Sequence, residues 1–337
     1  MTIRVSTNDL DYLAARLHGR RSRMAEGDRL DSLCRLRALP DLVRTFYPNE
    51  DSQTAGRFQQ QVVRDLVQEL SELARGQTKA EDRLIAWMLV RFYVENLKVL
   101  VRGLVTQASR AVIEQNFIQL PDNMELGPRP LAAESLEDLV AQLPKGILRK
   151  SLQGAITRYR DEPRSFFFEA ALDCGYFHEL LDRLNQLSAK DRETIAPMVH
   201  QEVDIFHLLL VARGKFFYGL RTDLLLPLHV AGTGISRQRF ADMLNAADLA
   251  AAVGHVTGPT QDPSAVEALA WNRYLRLANR AFRRSQMGFG VVVGYVGIRR
   301  MEVANLITLS EGIRAGMAGE AIRTRLIPRV DLEVMHV

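Results

Sequence analysis

One pattern of side chains occurs three times along this chain, and it limits what the chain can fold into. The three copies are Arg91–Gly103, Val203–Gly214 and Met301–Gly312. When Asn96, His207 and Asn305 are aligned, a leucine follows each at the next position and a glycine at the seventh. These aligned residues lie 111 and 98 positions apart, and a third of the 337-residue chain is about 112, so the period predicts three similar units. The expected units are residues 1–118, 119–232 and 233–337.

Most of the long segments have apolar residues at helical spacing. In Phe58–Ala74, for example, Val62, Leu66 and Leu70 share one face. The first copy of the pattern lies on another predicted helix, which runs from about Glu81 to Leu104. Runs of valine and isoleucine are too few to form a sheet of any size. The sequence therefore predicts an all-α fold.

The helix that carries the first copy has a charged stripe on a mostly apolar circumference. The stripe consists of Arg91, Glu95, Lys98 and Arg102. Intervals of four, three and four residues place these side chains on one face, at about 100° per residue. Such a helix is expected to pack on most sides and to meet water along the stripe. Asn96 lies in the buried arc, where an unpartnered amide costs on the order of 1–3 kcal/mol. We therefore expect it to bond a neighbouring helix or backbone, or to lie at a contact surface.

Prolines, glycines and capping residues mark the breaks between the predicted helices. The segment Leu120–Pro130, with three prolines and a glycine, is the clearest predicted linker. Ser135 and Ser236 precede helical patterns and are expected to cap them. Pro197 is expected in the first turn of the helix that carries the second copy, which we place at about Met198–Leu220.

Composition and charge do not favour nucleic-acid binding as the function. Lys and Arg total 44 against 40 for Asp and Glu, which leaves a net charge of only +4. The basic run within Arg16–Arg23 is typical of a solvated helix face, because acidic residues follow it at once. We expect no nucleic acid as a partner.

No segment is expected to cross a membrane. The longest apolar stretch, Leu84–Val105, contains the four charges of the stripe, which would be costly in lipid. The residues Met1–Ser6 lead into a polar helix and show no signal peptide. Cys34 and Cys174 lie far apart without metal-ligand spacing, as buried thiols in a reducing compartment do. The chain is expected to be soluble or peripheral to a membrane.

Two local patterns could hold a ligand, and each also has a structural interpretation. His200, Asp204 and His207 share one helical face, as metal ligands can; however, no second cluster supplies further ligands, and the repeat accounts for two of the three. The glycine run Gly288–Gly294 resembles a phosphate-binding loop, but a basic helix precedes it instead of a strand, so close helix packing is favoured. No motif marks a catalytic centre, and we expect no cofactor and no metal.

The repeated frame and its surroundings resemble one known family. The stretches that carry the resemblance are Tyr12–Arg16, Val94–Lys98, Glu202–Lys215 and Gly294–Leu306. In their order they look like the C subunit of bacterial and archaeal V/A-type rotary ATPases, whose counterpart in eukaryotic V-ATPases is the d subunit. The similarity runs through the whole chain. His207 stands where the family has asparagine, and Tyr93 stands where an acidic residue is common.

This resemblance implies a non-catalytic protein. It implies three similar helical domains in a pseudo-threefold funnel with a central cavity, on the cytoplasmic face of the ring of proteolipid subunits. The rotating central stalk would sit in the opening, so the protein would couple ATP synthesis or hydrolysis to proton or sodium transport. The implied partners are the central-stalk subunits and the proteolipid ring, and the implied location is peripheral to the membrane, on its cytoplasmic face.

Polar positions of the repeat are the candidates for contacts at the cavity or between the domains. They are Tyr93, Asn96, Arg102, Asp204, His207, Arg213, Glu302, Asn305 and Glu311. Two other functions stay open. One is an all-α repeat scaffold for protein–protein interaction, which rests on the repeat alone, and the other is a helical metalloenzyme built on His200, Asp204 and His207.

Overall fold

The fold consists of helices joined by turns and short loops. A computed structural model describes residues 7–50, 54–74, 79–120, 133–285 and 288–329. No strand occurs within these residues, which confirms the all-α prediction. The predicted linker Leu120–Pro130 lies outside the described residues, apart from Leu120.

The helix boundaries follow the chain in two groups. The first group is α1 (Thr7–Arg21), α2 (Gly27–Leu33), α3 (Leu39–Phe46), α4 (Ala55–Leu73), α5 (Lys79–Thr106), α6 (Arg110–Gln115), α7 (Leu136–Gln142), α8 (Ile147–Arg158) and α9 (Ser165–Asn185). The second group is α10 (Ala189–Leu209), a π-helix (Leu210–Phe217), α11 (Thr222–Leu225), a 3₁₀ turn (Leu226–Leu228), α12 (Arg237–Asn245), α13 (Leu249–Thr257), α14 (Pro263–Arg284), α15 (Phe289–Arg314) and α16 (Gly319–Arg323).

Packing divides the chain into two units that are interleaved along the sequence. The first packing unit combines Met1–Leu66, Ala189–Leu209 and Val253–Val337. The second packing unit combines Val67–Ser188 and Leu210–Ala252. The division into residues 1–118, 119–232 and 233–337 follows the repeat in the sequence rather than packing, and it stays a prediction.

In the first packing unit, α14 packs along both α10 and α15. Glycines allow the close approach of α15, because a Cβ at Gly294 would lie 2.5 Å from the backbone nitrogen of Phe282. This contact confirms that the glycine run serves close helix packing. Between these helices, Arg300 donates to both carboxylate oxygens of Glu202, at 2.8 and 3.1 Å. Both residues are nearly enclosed, so the pair joins α10 to α15 inside the core.

In the second packing unit, α9 packs between α5 and α8. Trp87 of α5 stacks on Tyr176 of α9, with ring centroids 6.0 Å apart, and its indole N–H donates to the backbone oxygen of the same tyrosine at 2.9 Å. The guanidinium of Arg183 lies 4.5 Å from the Trp87 ring. These contacts satisfy the polar atom of a buried indole while its rings fill the core.

Two of the predicted helix caps are confirmed, and the predicted place of Pro197 is wrong. Ser135 and Ser236 accept hydrogen bonds from the amides of Asp138 and Arg239, at 3.0 and 3.2 Å, which confirms both caps. Pro197, however, lies inside α10, and its expected position in the first turn is wrong. Proline removes the hydrogen bond to the carbonyl four residues earlier. That carbonyl belongs to Glu193, an exposed residue, so water can replace the missing bond.

One described helix, Ala189–Phe217, is long and apolar enough to cross a membrane by length and composition. Of its most apolar window, 72% is buried inside the fold. The core helix of a folded protein has this character, so the observation is weak support for a membrane span. The stretch Leu84–Val105, which was expected not to cross a membrane, does not meet these criteria.

Candidate functional site

Two of the aligned polar residues make the same pair of hydrogen bonds. The amide nitrogen of Asn96 donates to the carbonyl of Ile118 at 2.9 Å, and the backbone N–H of Ile118 donates back to the Asn96 oxygen at 2.8 Å. Asn305 forms the same two bonds with Ile327, at 2.6 and 2.8 Å. In both copies the partner lies 22 residues after the asparagine. The buried amide therefore holds a backbone segment that returns to the long helix, which is one of the alternatives expected from the sequence.

The repeated spacing to glycine has an equally local cause. A Cβ at Gly103 would lie 2.4 Å from Cδ1 of Ile113, and a Cβ at Gly312 would lie 2.6 Å from Cγ1 of Ile322. In each case the isoleucine is ten residues after the glycine, on the short helix α6 or α16. These separations are too short for a real Cβ, so a larger residue would force the isoleucine to shift, whereas glycine lets the short helix lie close against the long one.

Each long helix of the repeat ends on a residue in the left-handed backbone conformation. These residues are Gln107, Gly219 and Gly316. The next amide in the chain bonds the carbonyl of the repeated glycine at 2.9 Å in all three copies. In the two outer copies this bond runs five residues back along the chain, which is the Schellman type of helix end and satisfies carbonyls that the helix leaves unpaired. In the middle copy the bond from Leu220 to Gly214 runs six residues back. The three copies therefore share the acceptor glycine and the left-handed residue at the helix end.

The middle copy contains one additional residue. Its left-handed Gly219 lies 12 residues after His207, whereas the interval from the asparagine is 11 in the other two copies. A Cβ at its glycine, Gly214, would lie 3.0 Å from Cδ2 of Leu225, which is 11 residues later instead of ten. The π-helix Leu210–Phe217 accounts for the difference, because its i→i+5 turn takes in one more residue than an α-turn.

The side chains three positions before the aligned residues lie in or near the core. Tyr93 is 1% exposed. Glu302 is 5% exposed and accepts the backbone N–H of Ala25 at 2.6 Å. Asp204 is the third member, and its Oδ1 lies 3.8 Å from Nδ1 of the fully buried His207. Of the three, Glu302 connects its long helix to a segment far along the chain through the Ala25 amide.

The side chains six positions after the aligned residues lie at the surface. Arg102 donates to both carboxylate oxygens of Glu169, at 2.8 and 3.1 Å. Glu311 accepts a hydrogen bond from Gln59 at 2.6 Å, and this bond, together with a second from Arg314, lowers the pKa of its carboxyl. Arg213 is also exposed.

Some of the predicted polar positions therefore lie in or near the core, and others lie at the surface. Of these positions, Asp204 and His207 lie side by side. A role for the set at a cavity or between domains stays a prediction.

The charged stripe of α5 lies against a helix as well as water, which corrects the sequence-based expectation. Asp173 of α9 pairs with Arg91 at 2.9 Å and with Lys98 at 2.8 Å. Glu95 contacts the same two cations, at 3.0 and 3.1 Å. Burial alone would raise the pKa of Glu95, but the charges of Arg91 and Lys98 hold it below its ordinary value. The pattern of one helix could not show that a facing helix supplies the opposite charge.

The metalloenzyme alternative gains no support from the geometry. Among the described residues, no group of three or more His, Cys, Asp and Glu side chains is placed to hold a metal ion. Burial lowers the pKa of His200, and the nearby Asp204 only partly opposes this shift.

A row of arginines on α14 is a feature that the sequence-based candidates did not include. It consists of Arg273, Arg276, Arg280, Arg283 and Arg284, which we call the arginine row. All five side chains are exposed. Their spacing places them on one helical face. Helical periodicity applied to the arginines of this segment would therefore have found them.

Comparison with known proteins decides the family. A family model described as ATP synthase (C/AC39) subunit matches residues 13–325. The chain belongs to this family. The matched range contains all three copies of the repeat and their helix ends, so the resemblance drawn from the sequence is confirmed.

Relatives of this C/AC39 chain come from bacteria and archaea. The C subunit of the V-type ATP synthase of Deinococcus radiodurans is 26% identical over an alignment that covers 94% of this chain and 90% of the relative. The C subunit of the A-type ATP synthase of Methanosarcina mazei is 22% identical, with 78% and 75% covered. The corresponding A-type protein of Haloferax volcanii is 25% identical, with 72% and 73% covered.

Proposed function

We propose that this protein is the socket between the rotating central stalk and the proteolipid ring of a V/A-type rotary ATPase. It would transmit torque between ATP synthesis or hydrolysis and the movement of protons or sodium ions. The observation that carries this proposal is the family match over residues 13–325. Relatives matched over most of their length are named as C subunits of A-type and V-type ATP synthases.

The repeated helix ends are consistent with a structural role in such a machine. A socket that carries torque needs stiff elements with defined ends, and each of the three long helices ends on a left-handed residue. Asn96 and Asn305 each hold a returning segment by two hydrogen bonds. We propose that the three repeats form three helical domains around a pseudo-threefold axis, with a central cavity for the stalk.

The chemistry of the repeat favours a non-catalytic role. Asn96 and Asn305 bond backbone groups, and Arg102 pairs with the opposite charge of Glu169. We place the protein at the cytoplasmic face of the membrane as a peripheral component of the complex. A net charge of +4 would favour this position, because the cytoplasmic leaflet carries anionic lipids.

Reconstitution with partners from the same source tests this proposal. The tagged full-length chain is mixed with the purified proteolipid ring and, separately, with the central-stalk subunits, and co-elution is measured by size-exclusion chromatography. We expect it to bind both and to hydrolyse no ATP alone. The same chain after thermal unfolding is the control and should bind neither. Failure of the folded chain to bind either partner would overturn the proposal.

A further inference from the structure

The arginine row forms a continuous positive strip on one helix. At about 100° per residue, the five side chains lie within an arc of about 100°, and they extend over about 17 Å of helix. The acidic residue of α14, Glu267, projects about 120° away from Arg273 and so lies outside this arc. Nothing on the helix itself offsets the positive charge of the row.

The arginine row also has no partner elsewhere in the part of the chain that the structure describes. No hydrogen bond, ion pair or ring contact joins any of the five guanidinium groups to another described residue. Other arginines of the same packing unit are paired, as Arg300 is with Glu202. Five like charges in a row repel one another, and this cost is removed when a ligand of opposite charge binds.

A concave surface accompanies the row. An open pocket of about 530 Å³ is lined by Arg273, Arg276 and Arg280 together with the apolar side chains Leu269 and Leu277. A second pocket, of about 370 Å³, continues from Arg276 and Arg280 to Arg283 and Arg284. The two pockets share Arg276 and Arg280 and therefore adjoin along the arginine row; we call the two together the groove. No acidic residue among those described lines either part.

We propose that this groove binds an acidic amphipathic helix of a partner protein. Carboxylates spaced three and four residues apart on such a helix would face the arginine row, and each planar guanidinium can donate two hydrogen bonds to a carboxylate. Apolar side chains beside the acidic ones would contact Leu269 and Leu277. The arrangement is that of a helix-in-groove complex whose specificity comes from charge.

The shape and the residues favour a helix over a lipid surface. A flat bilayer meets a convex or planar patch, whereas the arginines line a groove. Membrane-surface sites also combine basic residues with exposed aromatic side chains. The large hydrophobic residues that are exposed among the described residues, such as Tyr12, Phe217 and Tyr218, do not lie on α14.

Peptide binding by the full-length chain tests this inference, which does not depend on the proposed function. The probe is a fluorescent helical peptide of about 18 residues with glutamates along one face beside a leucine stripe. A second peptide has the same composition, with the glutamates distributed around the helix. Binding is followed by fluorescence anisotropy at low and at physiological ionic strength.

Two triple variants with the same loss of charge separate the groove from general basicity. The groove variant is Arg273→Gln, Arg276→Gln and Arg280→Gln. The control variant is Arg37→Gln, Arg160→Gln and Arg237→Gln, at exposed positions that are not part of α14. We expect the groove variant to weaken binding about tenfold or more, since each exposed charge pair contributes modestly. The control variant should retain binding within about twofold.

Three outcomes would overturn the proposal. The two peptides could bind equally, the two variants could lose affinity equally, or the chain could sediment with phosphatidylserine-containing vesicles through these arginines and show no preference for the peptide. The last result would assign the groove to a membrane surface. Circular dichroism spectra that match the parent protein would show that both variants are folded.

Discussion

At the scale of single residues, buried polar side chains with fixed hydrogen-bond partners help to hold the fold together. An asparagine in a core helix is stable when both its donor and its acceptor are used. Asn96 and Asn305 meet this condition by bonding both backbone groups of one isoleucine. The sequence predicted that Asn96 needs a partner. It could not identify Ile118, because the partner is a backbone group in an irregular segment.

The first prediction concerns these amides. Asn96→Leu should lower the free energy of unfolding by about 1–3 kcal/mol, because it removes two hydrogen bonds and leaves backbone groups of Ile118 without them. Asn305→Leu should have a similar effect through Ile327. Denaturant unfolding measures the change, and Asn245→Leu, at an exposed site, is the control. An unchanged midpoint for both buried variants would contradict the assigned role.

The second prediction concerns the charges between α5 and α9. The pKa of Glu95 is held below its ordinary value of 4.5, so this carboxylate stabilises the fold above that pH and loses its contribution as the pH falls through the lowered pKa. Glu95→Gln should therefore destabilise the protein at pH 7, and the difference from the parent should shrink below about pH 4.5.

Thermal midpoints measured from pH 7 to pH 3 provide this comparison. Glu193→Gln, at an exposed position on α10, is the control for the loss of one negative charge. A difference between the parent and Glu95→Gln that stayed constant across the range would show that Glu95 does not act through its charge.

At the scale of helices, close packing depends on a few glycines whose surroundings differ sharply. The backbone of α14 lies against Gly294, where a Cβ would be 2.5 Å from the nitrogen of Phe282 and 2.8 Å from the oxygen of Ala278. By contrast, no atom of a neighbouring element lies within 4 Å of a Cβ built at Gly154 of α8. A glycine-to-alanine substitution is therefore expected to have opposite effects on stability at the two sites.

The third prediction compares these glycines. Gly294→Ala should destabilise the protein by about 1–3 kcal/mol, since α15 would have to move away from α14. Gly154→Ala should stabilise it by about 0.5–1 kcal/mol, because alanine is the better residue within a helix and meets no obstacle. Calorimetric midpoints of the two variants measure both effects. Equal shifts of the same sign would mean that packing does not decide the outcome.

The sequence predicted most of the helices, but only some of the contacts that they make with one another. Periodicity located α4 and α5 to within a few residues, and short-range capping chemistry identified Ser135 and Ser236. Pro197 was expected in a first turn but lies inside α10. The helix can continue through it because the carbonyl of Glu193, which loses its hydrogen bond, belongs to an exposed residue and can bond water. The partner of the α5 stripe was missed because the facing charges lie on α9, far along the chain. Local pattern carries no information about such contacts.

At the scale of the whole molecule, the order of the chain and the packing of the helices do not coincide. The second packing unit takes Val67–Ser188 and then Leu210–Ala252, with Ala189–Leu209 assigned to the first. Helix α5, in the first predicted repeat, packs on α9, which follows the boundary at residue 118. We therefore expect that a single repeat cannot bury its own apolar faces.

The fourth prediction tests this dependence with fragments. Residues 1–118 should fail to fold alone, since Trp87 loses Tyr176 and Arg183, whereas residues 67–252 should fold because they contain the whole second packing unit. Each fragment contains Trp87 as its single tryptophan, so fluorescence emission reports its burial directly. Native-like, blue-shifted emission from residues 1–118 would show that a repeat is autonomous.

The π-helix Leu210–Phe217 bears on how the three copies diverged. A residue added to an α-helix rotates everything after it by about 100°, which would turn core side chains toward solvent. A widened turn takes up the added residue, so Gly219 still ends its helix as Gln107 and Gly316 do. The middle copy therefore carries one residue more than the outer copies and still ends its helix on the equivalent residue. An alignment of the three copies therefore needs a gap in the two outer copies, after the position of Gly214.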